Sequence, residues 1–243
     1  MEPTIETREL LLTVQIIPAA TPRRDHAWLD TRYHFSFSDY YDPARMGWGN
    51  LRVWNDDVIA SKAGFPPHPH NDMEIITFVR TGAITHKDSL GNTGRTGAGD
   101  VQVMSAGTGV VHAEYNLEDE PTTLFQIWIL TDRKGEAPDW GMREFPRADR
   151  AGKWVVVASG DPEKDKALPI RSDAKVLAAK LSAGDKAAYA SDPARHQYLV
   201  SASGRIRVNG REAQAKDGVA ITGLDQIEVE AVDDAEIVMV DAR

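Results

Sequence analysis

Four side chains in this sequence have the types and the spacing to hold a metal ion. His68 and His70 stand in the run Pro67-His68-Pro69-His70, and His112 and Glu114 in Val111-His112-Ala113-Glu114. Each pair is spaced i, i+2. On a strand that spacing turns both side chains to one face, with Cα atoms about 7 Å apart. If the two pairs meet, three imidazoles and a carboxylate converge on one point. That is a coordination sphere for a transition metal, which packing alone does not require.

A His-x-His pair by itself is a weak signal, since histidines on an exposed strand or loop are common. The separate His-x-Glu pair ahead of a second apolar stretch is what makes it specific. The donor set suits Fe(II), Ni, Cu, Zn or Mn, and raw affinity favours copper or nickel over iron. Four protein ligands on an octahedral ion leave two positions open for small molecules, whereas four-coordinate zinc would be closed. Glu114 is the expected proton acceptor, because a carboxylate beside a cation can slip off and take a hydroxyl proton.

Other candidates carry plainer readings. Glu74 shares strand parity with His68 and His70, so it is expected either to orient a ligand imidazole or to form a salt-bridged rim. Asp72 is expected to be solvated. His86 reads as a hydrogen-bonded histidine on an alternating strand that could reach the pocket mouth. His26 and His34 read as structural, and His196 as a satisfied or exposed histidine of the second half. Of Phe35, Phe37, Tyr40, Tyr41, Trp48 and Trp54, most are expected in the core and one or two in a pocket for a planar ligand. Gly107-Thr108-Gly109 lacks the third glycine of a phosphate loop and leads towards a strand.

The elements that must position these residues are short. Apolar runs such as Leu10–Ile17, Leu51–Ala60, Ile75–Arg80, Val101–Met104, Leu124–Leu130, Val176–Leu181 and Ile237–Val240 are separated by Gly, Asn, Asp and Pro. They are rich in Val, Ile, Thr and aromatics and too short for stable helices, so the chain is expected to be all-β. The order recurs. Glu74–Gly82, Ala83–Thr85 and Gly99–Val103 are echoed by Gln197–Gly204, Arg205–Arg207 and Asp217–Ile221, which reads as two copies of one barrel. The second copy has no matching ligand pairs. The expected domains are 1–135, carrying the metal ligands, a linker at 136–152 without a clean strand, and 153–243. A short helix is possible at Arg147–Arg150, and Leu10–Ile17 is a candidate for strand exchange between sheets.

Composition narrows the function. The chain has 243 residues, 28 Lys and Arg against 37 Asp and Glu for a net charge of −9, and no cysteine. An acidic chain without a basic run is a poor ligand for phosphate backbones, so direct nucleic-acid binding is not expected. Without cysteine there are no thiolate sites, disulfides or cysteine nucleophiles. The first twenty residues, with Glu2, Glu6 and Glu9, do not read as a signal peptide, and no apolar run approaches a membrane span. A cytoplasmic protein is expected.

Over nearly its whole length the chain resembles the pirin-like proteins of the bicupin group. Thr31–Pro43, Met46-Gly47 and Leu51–Asp57 are similar to that family's N-terminal signature. His68–Glu74 and Ser105–Glu114 are similar to its two metal motifs, although Ser105-Ala106-Gly107 stands where the wider cupin pattern has Pro-x-Gly. The resemblance implies two tandem cupin-type β-barrels with an N-terminal extension. It also implies one divalent metal per chain, Fe(II) before Zn, Ni, Cu or Mn, held by His68, His70, His112 and Glu114. The implied activity is quercetin 2,3-dioxygenase-like, with a small aromatic substrate and O₂ as partners. Eukaryotic members are associated with transcriptional co-regulation, so the rival reading is a redox-sensing interaction protein with an unspecified protein partner. A third reading is a metal-stabilised barrel without turnover. A roomy aromatic-lined opening beside His68 favours catalysis, and a tight polar mouth favours the sensor.

Overall fold

The computed structural model describes residues 13–19, 23–25 and 27–243. His26 and residues 10–12 of the first apolar run lie outside these. The first half contains β1 (Thr13–Ile17), β2 (Arg23–Asp25), β3 (Leu29–Tyr33), β4 (Leu51–Ile59), β5 (Gly64–His70) and β6 (Met73–Thr81). Next come β7 (Ala83–Asp88), β8 (Thr93–Gly97), β9 (Val101–Ser105), β10 (Val110–Tyr115), β11 (Thr122–Leu130) and β12 (Asp139–Arg143). A 3-10 turn at Arg147–Arg150 leads into the second half. That half starts with β13 (Val155–Ser159), the one-turn helix α1 (Pro162–Asp165), β14 (Leu168–Pro169), β15 (Ala174–Leu181) and β16 (Lys186–Ala190). It ends with β17 (His196–Ser203), β18 (Ile206–Val208), β19 (Arg211–Ala213), β20 (Gly218–Thr222), β21 (Gln226–Ala231) and β22 (Ala235–Ala242).

Each half is a seven-stranded sheet packed on a four-stranded one. The first half has the orders β12-β9-β6-β11-β4-β3-β2 and β5-β10-β7-β8. The second has β1-β20-β17-β22-β15-β13-β14 and β16-β21-β18-β19. The two large sheets face each other. Phe35, Trp54, Ile76, Phe78, Phe125 and Ile127 of the first half form one cluster with Val176, Tyr198, Val200, Val238 and Val240 of the second. A large sheet is therefore covered on both faces, and its strands are buried almost without interruption, as in β6 and β22. The small sheets face solvent on one side, and β10 and β21 alternate in burial. That contrast is what two-sided and one-sided cover dictate.

Two expectations change. The sheets are open, in strand orders that do not return on themselves, so each half is a pair of packed sheets and not a closed barrel. The segment expected to be a linker without a strand contains β12, which pairs along the whole of β9. Gly141 and the charges around it hid that strand, whose partner was invisible locally. The 3-10 turn falls at Arg147–Arg150, where a short helix was possible. Strand exchange also occurs: β1 pairs antiparallel with β20 of the second half, Thr13 opposite Thr222 through Ile17 opposite Gly218. No helix among the described residues is long and apolar enough to cross a membrane.

Candidate metal centre

Strand β10 is interior to its small sheet, between β5 and β7. Its alternation turns Val110, His112 and Glu114 inward and leaves Val111 exposed. Strand β5 lies at the sheet edge, which explains how it tolerates Pro66, Pro67 and Pro69: an edge strand does not need every N–H in a ladder. His112 pairs with His68 across the β5–β10 ladder, so histidines from both motifs become neighbours. A register shift between His112 and Glu114 then sets Glu114 opposite Phe65 on one side and His86 on the other. Gly64 makes this crossing possible, because a Cβ there would lie 2.2 Å from the Glu114 carbonyl oxygen.

One ring nitrogen from each of His68, His70 and His112 lies within 4.8 Å of the others. The Nδ1–H of His68 donates to the Pro66 carbonyl at 2.7 Å, which leaves Nε2 with its lone pair. That Nε2 stands 3.0 Å from Nε2 of His112. Two nitrogens bound about 2.1 Å from one ion at a right angle are about 3.0 Å apart, so the spacing is that of neighbouring ligands. Burial, and then the nearby His68, lowers the His70 pKa to about 4. Burial, with His68 and His70 beside it, lowers that of His112 to about 2. Both rings are neutral near pH 7 and present lone pairs, as metal ligation requires. The residues fit a divalent ion.

Glu114 occupies a different corner. Its ligand atom falls in a second group, with His86 and His112, within 4.8 Å of one another. Gln102 Nε2 donates to Oε1 at 2.5 Å and Thr77 Oγ1 donates to the same oxygen at 3.3 Å. Gln126 Nε2 donates to Oε2 at 2.8 Å. Burial pushes the Glu114 carboxyl above its ordinary value, against the pull of His86 and Gln126. His86 itself is fully buried, with Nε2 3.0 Å from Asp88 Oδ2 and Nδ1 3.4 Å from His112 Nδ1. Its ring stacks on Trp140 at 4.8 Å and 10°. Trp140 can lie there because residue 94 is glycine; a Cβ at that position would sit 2.2 Å from the indole. His86 is thus a hydrogen-bonded histidine, as expected, and it lies against His112.

A cavity of about 540 Å³ opens beside His68 and His70, within the roughly 300–1,000 Å³ of small-molecule sites. Tyr33, Phe37, Phe65 and Trp128 give it aromatic walls, and Thr31, Asn55, Asp57 and Gln126 give it polar points. Phe37 is the pocket member of the aromatic set read from sequence; Phe35 and Trp54 are core, and Tyr41 is 73% exposed. Tyr33, Phe65 and Trp128 escaped that reading, as did Asp57, Gln102 and Gln126. Asp57 had a signal, since two adjacent acids inside the apolar strand β4 call for an explanation.

Glu74 is not in this pocket. Strand parity does not carry from β5 into β6: the chain turns at Asp72, φ +45°, and β6 belongs to the other sheet. Glu74 is buried, accepts from Ser105 Oγ at 2.5 Å and lies near Arg171 of the second half. Asp72 is half-buried and accepts from the Gly135 N–H at 2.9 Å. His34 is structural, with Nδ1 2.9 Å from Tyr198 Oη between the halves. His196 packs edge-on against Trp48. Gly107 and Gly109 form a turn between β9 and β10, in keeping with the rejected phosphate loop.

A family described as Pirin matches residues 17–129, and one described as the quercetinase C-terminal cupin domain matches residues 156–242. A pirin-like protein of Caulobacter vibrioides is 59% identical over 218 residues, covering 90% of this chain and 94% of its own length. A quercetin 2,3-dioxygenase of Escherichia coli strain K12 is 38% identical over 218 residues, covering 89% and 93%. The crystal structure of the bacterial pirin YhhW from Escherichia coli in complex with nickel(II) is similar with a TM-score of 0.89 at 36% identity, covering 95% of this chain and 99% of that one. With two packed-sheet halves of cupin type and histidines gathered in the first of them, this chain belongs to the pirin family.

Proposed function

We propose that the protein is a dioxygenase that uses a divalent metal, iron(II) first among the candidates, to open quercetin-like flavonols or related aromatic enols. The observation that carries this reading is the aromatic-walled cavity whose floor includes His68 and His70. A redox sensor needs no such chamber; a planar substrate does. The quercetin 2,3-dioxygenase name of the Escherichia coli relative points the same way. On this reading His68, His70, His112 and Glu114 hold the metal, residues 1–135 carry the chemistry, 136–152 join the halves and 153–243 form a ligand-free partner.

When bound, the metal would acidify a coordinated hydroxyl and bring O₂ and substrate together. The chain's own part is to receive, orient and dry the substrate. Trp128 and Phe37 meet edge to face at 5.3 Å, and His70 packs against the same indole at 4.9 Å, so that wall is braced before any ligand arrives. Gln126 links the wall to the centre: its amide donates to Glu114 and its carbonyl oxygen accepts from the Trp128 indole at 3.3 Å. Glu114 suits a ligand whose oxygens are steered by fixed donors.

Loading with Fe(II) under anaerobic conditions, followed by oxygen, tests the proposal. Quercetin-dependent O₂ uptake with release of carbon monoxide is the expected result. Full iron occupancy with no uptake on any flavonol would transfer support to the sensor.

A further inference from the structure

Glu114, the carboxylate expected to take the substrate proton, does not line the cavity, and both its oxygens already accept hydrogen bonds. The carboxylate in the wall is Asp57, from the strand opposite the histidines. Its side chain is almost fully buried, and Oδ1 accepts from Thr31 Oγ1. Two residues earlier on the same face, Asn55 also lines the cavity, is 4% exposed, and has an Oδ1 with no hydrogen-bond partner. A buried acceptor left empty beside a chamber is a group built for a ligand, since leaving it unmet is unfavourable.

We propose that Asp57 is the proton acceptor for the substrate hydroxyl, and that Asn55 accepts from a second hydroxyl of the same planar molecule. The inference rests on the dioxygenase reading and narrows the substrate to aromatics bearing an acidic enol or phenol and a further hydroxyl. In the step itself the substrate O–H bond breaks, the electron pair stays on the substrate oxygen, and the proton moves to a carboxylate oxygen of Asp57. No other reactant is needed.

The electrostatic setting agrees with the geometry. Burial raises the Asp57 pKa to about 7, the Thr31 hydrogen bond opposes this, Asp56 and Glu114 reinforce it, and Arg80 opposes it. Arg80 is held by Asp56, its ion-pair partner, and not by Asp57. Lys216 also turns to Asp56, at 3.3 Å. His68, His70 and the buried Tyr33 are the other titratable groups that line this cavity. A carboxyl poised near neutrality can both take and return a proton.

The test counts protons. The protein is loaded with nickel(II), which favours six-coordination and keeps positions open beside four protein ligands, and titrated anaerobically with 3-hydroxyflavone at pH 8 by calorimetry in two buffers of different ionisation enthalpy. Wild type should bind with almost no proton released to the buffer, and Asp57→Asn should release about one proton per ligand with unchanged nickel content. Equal release from both proteins overturns the assignment and leaves the dioxygenase reading standing. Failure of wild type to bind any flavonol sinks that reading instead. Should Asp57→Asn keep nickel but not bind, Asp57→Glu must restore binding without release; if it does not, Asp57 is only structural. Asn55→Leu should abolish the preference for quercetin over 3-hydroxyflavone, and a preserved preference removes Asn55 from the proposal.

Discussion

The two halves share a frame and differ in what fills it. In the second half, the space between large and small sheet is one apolar cluster: Leu199, Ile237 and Met239 meet Ile206, Val208, Ile227 and Val229. In the first half the same space is split. Leu29, Ile59, Val79, Ile84 and Leu124 plug one end, and Ile75, Met104, Ala106 and Val110 plug the other. Between the plugs runs a polar belt of Thr77, His86, Gln102, His112, Glu114 and Gln126, all nearly inaccessible to water. Strand β6 shows the design in three inward residues, with Ile75 in one plug, Thr77 in the belt and Val79 in the other. The lesson is that a site can be cut into a β-core by changing one band of side chains, provided each buried polar group finds a partner. One half keeps the fold; the other can be spent on chemistry.

The largest effect should come from removing a ligand. His112→Ala should lower metal affinity by more than the roughly 10–100-fold that loss of a supporting residue causes, and flavonol turnover should vanish with it. It should also abolish the rise in melting temperature that metal gives wild type, since a ion bound only to the folded state stabilises it. Metal analysis and calorimetry check both. If His112→Ala retains its metal, the centre lies elsewhere. The opposite half should respond in the opposite way. Ile227→Ala, at a fully buried position, should destabilise by about 2–5 kcal/mol in denaturant unfolding while the folded protein keeps its metal and the proposed turnover. Loss of metal from that variant would mean that the halves are not separable in function.

How much of this was legible depended on whether the information was local. The His68/His70 and His112/Glu114 pairs were legible because i, i+2 spacing on a strand is a local fact, and the doubled strand order was legible because the same turns recur. The partners of Glu114 were not. Thr77, Gln102 and Gln126 sit on three strands of the other sheet, and only the packing of β6, β9 and β11 over β10 brings them to one carboxylate. Glu74 misled because parity carries no meaning across a turn between sheets. Strand β12 was hidden because its partner β9 lies far back in the chain. Sheet closure is likewise decided by pairings that no single segment encodes.

A smaller effect should follow from thinning the belt. Gln126→Leu removes the donor to Glu114 Oε2 and leaves that oxygen buried without it. Metal affinity measured by chelator competition should fall by roughly 10–100-fold, with the fold retained. His86→Phe should act in the same range, because the ring could still stack on Trp140 while the contact with His112 Nδ1 is lost. An unchanged affinity in both variants would reduce the belt to packing.

The smallest effect is a pH response that two buried groups of the first half nearly cancel in metal-free protein. His34 has its pKa lowered to about 4, by burial first and against the pull of Asp56. Between pH 6.5 and 4 the unfolded chain binds a proton there that the folded one does not, so His34 stabilises at neutral pH and that stability is lost as pH falls. Asp57 works the other way. Its folded pKa of about 7 exceeds the unfolded value of 3.8, so the folded state holds a proton the unfolded state has released, and stability falls as pH rises towards 7. Opposed slopes should leave metal-free wild type with a shallow profile between pH 4 and 7. Asp57→Asn removes one of them and still accepts from Thr31 through its amide oxygen. That variant should be more stable than wild type above pH 7, with the gap closing towards pH 4. Denaturant titrations at pH 8 and pH 4.5 measure the gap, and a gap that does not narrow on acidification would mean that Asp57 is ionised throughout, so that its burial carries no penalty to relieve.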